Sequence, residues 1–577
     1  MNLFVVGWAP DVEVAQAESA LSRLLDELPF FPGRPVETWA TGGAAAAWVR
    51  HAELPYATES GGSLALFSGR PFQWTGDEEA DGRGPADARF FLEPAARWAE
   101  AIDGRFASAA YHAEAGALEL ATDPVGAYPL FETTVDGTRW FSNSAAALRE
   151  LTGDTGLRLD SVAGLVGGGW PLEGHPIWAG IERIGPGAVL RLTADSEQRR
   201  QLLPCDEIAA LPGKGLDTER AARRLTAATA ALADWPGRPN VVPVTAGYDS
   251  RVVLGAALEA RFDFEGVTGG APDEPDVRAG QELCAAGGVT HSLLPPDPHG
   301  NMWSDHRRAA RIVRLTAGGT ASLADAAGFP LGPRDGALPL WHSGQGGEIG
   351  RAYYGDGNGL SGAELARRLY DAFTARRPHR RELLSDAGRE IVEGQLREWV
   401  DAQLGCGVSP ADVPDVFYFD RRMKTWAAPT HGCVEYVRDT TSPLWSRRVV
   451  ADLLAPRVGE RARYGYHSAV QEQLAPQLAR VAFEGGHATG RVAQARRVAG
   501  KAANEALRRV RGARPSTGDP LDPILADVRE QALAATSHPA WEVLDRERCE
   551  TLLSRPATTL DEMSRYQVWR LATLFVS

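Results

Sequence analysis

The chain has 577 residues, a length that favours two domains over one, with 44% hydrophobic and 24% charged residues as in globular proteins. Its net charge of −14 argues against a nucleic-acid partner, because proteins that bind nucleic acid neutralise phosphates with cationic surface. No apolar run approaches the length of a membrane span and no signal sequence opens the chain, so we expect a cytoplasmic protein with no membrane partner. The five cysteines contain no CxxC pair, which favours reduced thiols over a zinc site or a disulfide framework.

The first part of the chain has the pattern of short alternating strands with polar turns. Strands are predicted at residues 63–67, 106–111, 117–121 and 140–143, and helices at 14–28 and 88–102. This pattern predicts a layered α+β domain over residues 1–200. The polar stretch 194–215, which contains Pro204 and Pro212, is the best candidate for a linker, and we place the linker at 201–216.

The second part, residues 217–577, has longer helices and fewer, more apolar strands. A helix is predicted at 218–232, a strand at 241–244, a helix from Asp249 to about residue 260 and a strand at 262–268. Strand, turn, helix, strand is the repeating unit of a parallel sheet. Residues 491–514 carry eight cations against a single acid, Glu505, which favours a solvated helix face, with partner binding as the alternative.

The turn between the strand at 241–244 and the following helix is the first candidate for a chemical site. It reads Val244, Thr245, Ala246, Gly247, Tyr248, Asp249 and Ser250. Free backbone N–H groups and the positive end of the helix dipole coincide at such a turn, so phosphate oxygens are favoured there. Asp249 is a suitable oxygen ligand for Mg²⁺. The alternative is an ordinary connection in which Asp249 and Ser250 cap the helix.

A second glycine-rich loop, residues 340–350, contains Ser343, Gly344, Gln345 and Glu348. Together the two loops resemble the Ser-Gly-Gly-x-Asp-Ser and Ser-Gly-Glu-Gly-Ser-Asp-Glu loops of the asparagine synthetase family. The likeness implies an ATP-pyrophosphatase-like parallel sheet flanked by many helices, with ATP and Mg²⁺ as cofactors and with the metal on Asp249 and Glu348. It places ATP contacts at the following residues: Val244, Thr245, Ala246, Gly247, Asp249, Ser250, Val267, Ser343 and Gly344.

The N-terminal part also resembles this family, at residues 103–107 and 122–130. A working glutaminase of this class has its cysteine nucleophile directly after the initiator methionine. Asn2 holds that position here, and the first cysteine is Cys205. The resemblance therefore implies a degenerate Ntn-hydrolase-like sandwich, an N-terminal domain that does not supply ammonia from glutamine.

Loss of the glutaminase is typical of family branches that join a carboxylate to an amine of the substrate. The chain most resembles lasso-peptide macrolactam synthetases, which implies an AMP-forming carbon–nitrogen ligase that cyclises a ribosomal peptide. Partners would be the peptide substrate and a leader-peptide protease or precursor-binding protein. A β-lactam synthetase, another small-metabolite amide synthetase or a catalytically lapsed binding protein are the alternatives.

The sequence departs from the family pattern at several catalytic positions. Gln345 replaces a glutamate, which fits a changed amine substrate. The family lysine is missing, since no lysine lies between residues 425 and 500, and Arg461 or Arg463 is its predicted substitute. Glu435 and His431 are the candidates for a general base by their location.

Overall fold

The computed structural model describes residues 2–50, 56–75, 81–153, 155–235, 239–294, 305–325, 339–374, 383–436, 438–481, 519 and 521–576. It is a mixed α/β structure with two antiparallel sheets, one parallel sheet and many helices. The strands are β1 Asn2–Trp8, β2 Glu37–Ala40, β3 Ala44–Arg50, β4 Ala57–Ser60, β5 Ser63–Thr75, β6 Asp81–Pro85, β7 Ile102–His112, β8 Ala117–Thr122, β9 Phe131–Val135, β10 Thr138–Ser142, β11 Glu182–Arg183, β12 Ala188–Leu192, β13 Glu197–Gln201, β14 Asn240–Pro243, β15 Phe264–Thr268, β16 His291–Leu293, β17 Leu340–His342 and β18 Asp439–Thr441.

The helices are distributed over both parts of the chain. The α-helices are α1 Val14–Glu27, α2 Ala95–Trp98, α3 Ala145–Thr152, α4 Leu159–Gly168, α5 Cys205–Ala209, α6 Thr218–Ala233, α7 Tyr248–Ala260, α8 Pro275–Gly287, α9 His306–Ala317, α10 Gly362–Phe373, α11 Asp386–Gly405, α12 Val413–Phe417, α13 Ala428–Val434, α14 Arg447–Leu454, α15 Val458–Arg461, α16 Gly465–Leu474, α17 Asp522–Ala534, α18 Arg546–Leu553 and α19 Glu562–Phe575. Tighter 3₁₀ turns occur at Ala88–Leu92, Ala113–Ala115, Gly347–Arg351, Pro443–Trp445, Pro476–Arg480, Pro539–Glu542 and Ala557–Thr559, and Tyr418–Ala427 is a π-helix. Within the described part of the chain, no helix combines the length and apolar character needed to cross a membrane.

The N-terminal part is a sandwich of two antiparallel sheets. One sheet has the order β11-β9-β10-β1-β3-β2, and the other has the order β13-β12-β8-β7-β5-β4 with β6 paired to β5. Inward-facing side chains such as Phe4, Trp48, Leu66 and Leu120 form the core between them. Alternation of the strand side chains explains this core, since every second residue of a strand points to the same face.

Two sequence predictions for this part differ from the structure. The helix predicted at 88–102 is wrong. Pro94 separates the Ala88–Leu92 turn from the short helix α2, and Ile102 already begins β7. Proline has no backbone N–H to continue a helix, which explains the break. Residues 197–201 of the predicted linker stretch form β13, an exposed polar edge strand that pairs with β12.

The parallel sheet of the second part has the order β16-β15-β14-β17-β18. All four neighbouring pairs are parallel. The predicted helices at 218–232 and from Asp249 are confirmed as α6 and α7, and the predicted strands as β14 and β15. The basic stretch 491–514 lies outside the described residues.

The two parts of the chain are packed together. The outer face of the β5–β7 sheet contributes Phe67 and Phe106 to a cluster that also contains Trp235 and Leu340. Two buried ion pairs cross the same boundary, Arg70 with Asp439 and Arg105 with Glu435. The N-terminal sandwich therefore supports the parallel sheet close to the end of β18.

Candidate active site

Open parallel sheets have a crevice where their strand order reverses, and in this sheet the reversal lies between β14 and β17. From β14 the chain proceeds to β15 and β16 on one side, and β17 and β18 lie on the other. Ligands of open parallel sheets bind at the carboxyl ends of the strands at such a switch point. The turn 244–250 follows β14 and the loop 343–351 follows β17, so both predicted loops lie at this crevice.

The two loops touch each other through glycines. A Cβ atom on Gly344 would lie 2.7 Å from the backbone nitrogen of Ser250, and one on Gly347 would lie 2.2 Å from Asp249 Oδ1. The contact at Gly344 is with backbone and leaves no room for a side chain, whereas a side chain at Gly347 would have to displace the carboxylate of Asp249. Glycine therefore allows the loop to reach the turn.

The turn 244–250 is held by its own side chains. Ser250 Oγ accepts a hydrogen bond from Thr245 N at 3.2 Å, and Thr245 Oγ1 accepts one from Gly247 N at 3.2 Å. Ala246 N donates to Asp276 Oδ1 at 2.9 Å. A phosphate bound by these N–H groups would take the place of acceptors that the protein supplies in this structure.

The first turn of α7 has the properties of an anion site. Gly247 is its N-cap, and no side chain caps the helix, so Asp249 and Ser250 do not have the capping role that the sequence left open. Uncapped N–H groups and the positive end of the dipole both favour a negative ligand. The helix runs for 13 residues, long enough for its dipole to act.

Asp249 and Glu348 meet at one guanidinium group. Arg351 Nη2 lies 3.0 Å from Asp249 Oδ2 and 3.1 Å from Glu348 Oε1. Burial opposes the charge of Arg351, but the carboxylates of Asp249 and Glu348 outweigh burial and raise its pKa above the ordinary value. Glu348 Oε2 also accepts a hydrogen bond from Gly346 N at 3.1 Å. The structure thus brings together the two acids that the sequence assigned to metal binding.

The donor set fits Mg²⁺ bound together with phosphates. Two carboxylates reach a common point from two loops, and Mg²⁺ in nucleotide sites is usually held by one or two carboxylates plus phosphate oxygens and water. Among the described residues no group of three or more His, Cys, Asp or Glu side chains could hold a metal. Asp249 and Glu348 are the residues that would hold such a metal.

A third wall of the crevice comes from the start of α16, which the sequence analysis missed. Tyr464 precedes this helix with a left-handed φ of 61°, and its ring stacks on Tyr248 with the centroids 4.0 Å apart. His467 is buried, and its Nε2 lies 2.8 Å from Asp249 Oδ1. The signal available in the sequence was that Tyr464 and His467 are aromatic residues in a polar region, but their spacing matches no known motif. Arg351 was also missed, although its position three residues after Glu348 in a short turn could have indicated it.

The remaining predicted ATP contacts lie on β15 and in the loop after β17, the two strands that flank the central strand β14. Val267 is buried in a small apolar cluster with Val241 and Trp341, and its carbonyl accepts a hydrogen bond from Val244 N at 2.8 Å. Ser343 Oγ accepts a hydrogen bond from Gln345 N at 3.1 Å, and Ser442 Oγ donates to the Gln345 carbonyl at 2.8 Å. The loop after β17 is therefore fixed to the end of β18.

Arg461 and Arg463 are not brought to the crevice by any contact of their side chains. The guanidinium of Arg461 is fully buried and donates to Asp415 Oδ2 at 2.7 Å, to the Leu454 carbonyl at 2.9 Å and to Asp412. These are the contacts of a residue that fixes the fold around α15. Arg463 is exposed. Sequence position alone suggested both, and it does not reveal which acids a buried arginine will meet.

The two candidates for a general base are both buried at the boundary between the halves. Glu435 is ion-paired with Arg105. The ring of His431 packs on Trp445 with the centroids 4.7 Å apart, and burial, with Arg105 and Arg438 nearby, lowers its pKa well below the ordinary value. In this structure His431 packs against Trp445 and Glu435 is ion-paired with Arg105, so both side chains serve the packing of the two halves.

Comparisons with known proteins give distant likenesses. No protein-family model matches the chain, and no curated protein matches it. Among solved structures, it is similar to the glutamine phosphoribosylpyrophosphate amidotransferase from B. subtilis in complex with ADP and GMP, at 10% identity and a TM-score of 0.23, over 60% of this chain and 81% of that one. It is also similar to an allosteric regulatory enzyme of purine biosynthesis, at 11% identity and a TM-score of 0.22, over 51% of this chain and 65% of that one. Likeness at this level carries no argument about function, which must come from the site itself.

Proposed function

We propose that the protein is an ATP-dependent carbon–nitrogen ligase that activates a carboxylate as its adenylate and transfers the acyl group to an amine. The observation that carries the proposal is the meeting of Asp249 and Glu348 from two loops at the switch point of a parallel sheet. The uncapped start of α7 beside these acids supports it.

The reaction has two steps. A carboxylate oxygen attacks the α-phosphorus of ATP, the bond to the β-phosphate oxygen breaks, and pyrophosphate leaves. The amine nitrogen then attacks the acyl carbon, loses a proton, and AMP leaves with the bonding electrons.

The residues of the crevice serve the first step by electrostatics. The N–H groups of Thr245, Ala246 and Gly247 and the start of α7 would bind the pyrophosphate oxygens as their charge increases. Asp249 and Glu348 would hold Mg²⁺, which when bound neutralises charge on the leaving group. Asp276, the internal acceptor of Ala246 N, would keep the turn in place before the nucleotide arrives.

The amine is supplied by the substrate in this proposal, because the N-terminal domain has no nucleophile at the expected place. Asn2 is fully buried, its backbone nitrogen donates to Ser68 Oγ at 3.1 Å, and its amide donates to the Phe67 carbonyl at 3.0 Å. An amide side chain held in this way cannot attack glutamine. The lack of a nucleophile fits macrolactam and β-lactam formation equally. The greater likeness to lasso-peptide macrolactam synthetases favours cyclisation of a ribosomal peptide, with a leader-peptide protease as partner, over closure of a small-molecule β-lactam.

The test is incubation of the purified protein with Mg-ATP and candidate peptides or small amino acids. We expect AMP and pyrophosphate in equal amounts, with a product that is one water lighter than its peptide. Asp249→Asn and Glu348→Gln should each reduce AMP release by about 100-fold or more, since each removes one charged ligand. Glu219→Gln, on the exposed side of α6, is the matched control and should retain full activity. Absence of AMP with every substrate, together with absence of ATP binding, would overturn the proposal.

A further inference from the structure

Arg351 has an unusual position for a loop cation. It is the last residue of the Gly347–Arg351 turn, and its side chain is 19% exposed. Ala352 follows in a left-handed conformation, with φ of 47° and ψ of 51°, although an L-residue other than glycine rarely adopts it. The strained residue turns the chain away immediately after Arg351. The guanidinium remains in the crevice, with its carbon 6.0 Å from the Tyr464 ring centroid.

Three other buried cations of the second part of the chain have partners away from Asp249 and Glu348. Arg251 of α7 donates to the carbonyls of Leu478 at 3.0 Å and Val481 at 2.7 Å. Arg461 is bound by Asp412 and Asp415, and Lys424 is bound by Asp420 at 2.7 Å. Among the described arginine and lysine side chains, Arg351 is the one ion-paired with Asp249 and Glu348, while the ring of His467 also contacts Asp249.

The contacts of Arg351 imply competition with a divalent cation. Its Nη2 contacts one oxygen each of Asp249 and Glu348, and these two carboxylates are the ones that would hold a divalent cation. A divalent cation on the two carboxylates would repel the guanidinium and remove its partners. The freed N–H groups form a planar fork that suits two phosphate oxygens.

We propose that Arg351 is a catalytic residue of this ligase: it holds Asp249 and Glu348 together before Mg-ATP enters and binds the leaving pyrophosphate once Mg-ATP has entered. The inference rests on the proposed function and adds to it the residue that supplies the positive charge. It also explains how a chain without a lysine between residues 425 and 500 places a cation at the phosphates.

The test compares Arg351→Met and Arg351→Lys with the wild type. Calorimetry with inorganic pyrophosphate, repeated over a series of MgCl₂ concentrations, measures binding without turnover. We expect Arg351→Met to bind Mg-pyrophosphate about 10-fold more weakly and to release AMP about 100-fold more slowly. The Mg²⁺ concentration that gives half-maximal pyrophosphate binding should also be lower for Arg351→Met than for the wild type, because the arginine no longer competes with Mg²⁺ for Asp249 and Glu348. Arg351→Lys should restore the Mg²⁺ dependence and part of the affinity.

A matched control separates a local effect from loss of structure. Arg223→Met removes an exposed arginine of α6 that pairs with Glu219, and it should change neither measurement. If Arg351→Met does not fold, as judged by thermal unfolding, Arg351→Lys decides the matter by its reduced pyrophosphate affinity. Folded Arg351 variants with wild-type pyrophosphate affinity and Mg²⁺ dependence would overturn the inference. A wild type that releases no AMP would instead overturn the proposed function.

Discussion

At the scale of single residues, His342, next to the candidate site, makes the stability of the protein depend on pH. It ends β17 fully buried, its Nε2 lies 2.9 Å from Asn240 Oδ1, and burial lowers the pKa of the ring to about 3. The folded-state pKa lies below the ordinary value of 6.5, so only the unfolded chain takes up a proton as the pH falls below 6.5. The stability that neutral His342 contributes is therefore present above pH 6.5 and is lost on acidification.

His342→Gln removes this titration and keeps a polar group for Asn240. Between pH 6 and pH 4 we expect the wild type to lose free energy of unfolding faster than the variant, by about 1.4 kcal/mol per pH unit. Urea unfolding at several pH values measures the difference, and other buried groups cancel because both proteins contain them. Parallel pH profiles for the two proteins would show that His342 is protonated in the folded state.

At the scale of elements, the approach of the loop 343–351 to the turn 244–250 depends on two glycines. Gly344→Ala would place a methyl group 2.7 Å from Ser250 N, a backbone atom that cannot move without shifting α7. We expect a loss of about 1–3 kcal/mol in the free energy of unfolding and a loss of nucleotide binding, because overpacking displaces the turn. Gly347→Ala, at 2.2 Å from Asp249 Oδ1, should affect Mg²⁺ dependence more than stability, since a side chain can yield.

The control for these glycines lies in α11. A Cβ atom on Gly394 meets no atom within 4 Å, so Gly394→Ala should stabilise the helix by up to about 1 kcal/mol and leave nucleotide binding unchanged. Denaturant unfolding and ATP binding measured on the three variants test the set. Normal ATP binding by Gly344→Ala would contradict the role that we assign to this contact.

The local sequence pattern was sufficient to predict the helices and strands that position the site. The apolar periods at 218–232 and after Asp249 predicted α6 and α7. Contacts between residues far apart in the sequence could not be predicted from this pattern. Nothing near Arg461 in the sequence shows that Asp412 and Asp415 will enclose it, and nothing near His467 shows that it will face Asp249. Residues supplied by a third segment depend on tertiary packing, which periodicity does not encode.

At the scale of the whole molecule, the N-terminal sandwich is connected to the site through Arg105. Its guanidinium pairs with Glu435, donates to the Thr440 carbonyl at 2.9 Å and lies 5.1 Å from the Trp445 ring centroid. Trp445 in turn lies beneath the loop, since a Cβ atom on Gly346 would be 2.5 Å from its ring. The N-terminal sandwich therefore supports the loop that carries Glu348.

Removing the ion pair between Arg105 and Glu435 should lower the free energy of unfolding of the whole protein. Arg105→Met leaves the Glu435 carboxylate buried without its partner, and we expect a loss of about 3–5 kcal/mol in the free energy of unfolding. In the double variant Arg105→Met/Glu435→Gln the stranded charge is absent, so the loss should be smaller than the sum of the single losses by about 1 kcal/mol or more. Arg50→Met breaks the half-exposed pair with Glu37 in the same sandwich and should cost less than about 1 kcal/mol. Guanidinium unfolding of the four variants measures these differences, and additive losses for Arg105 and Glu435 would show that the two side chains act independently.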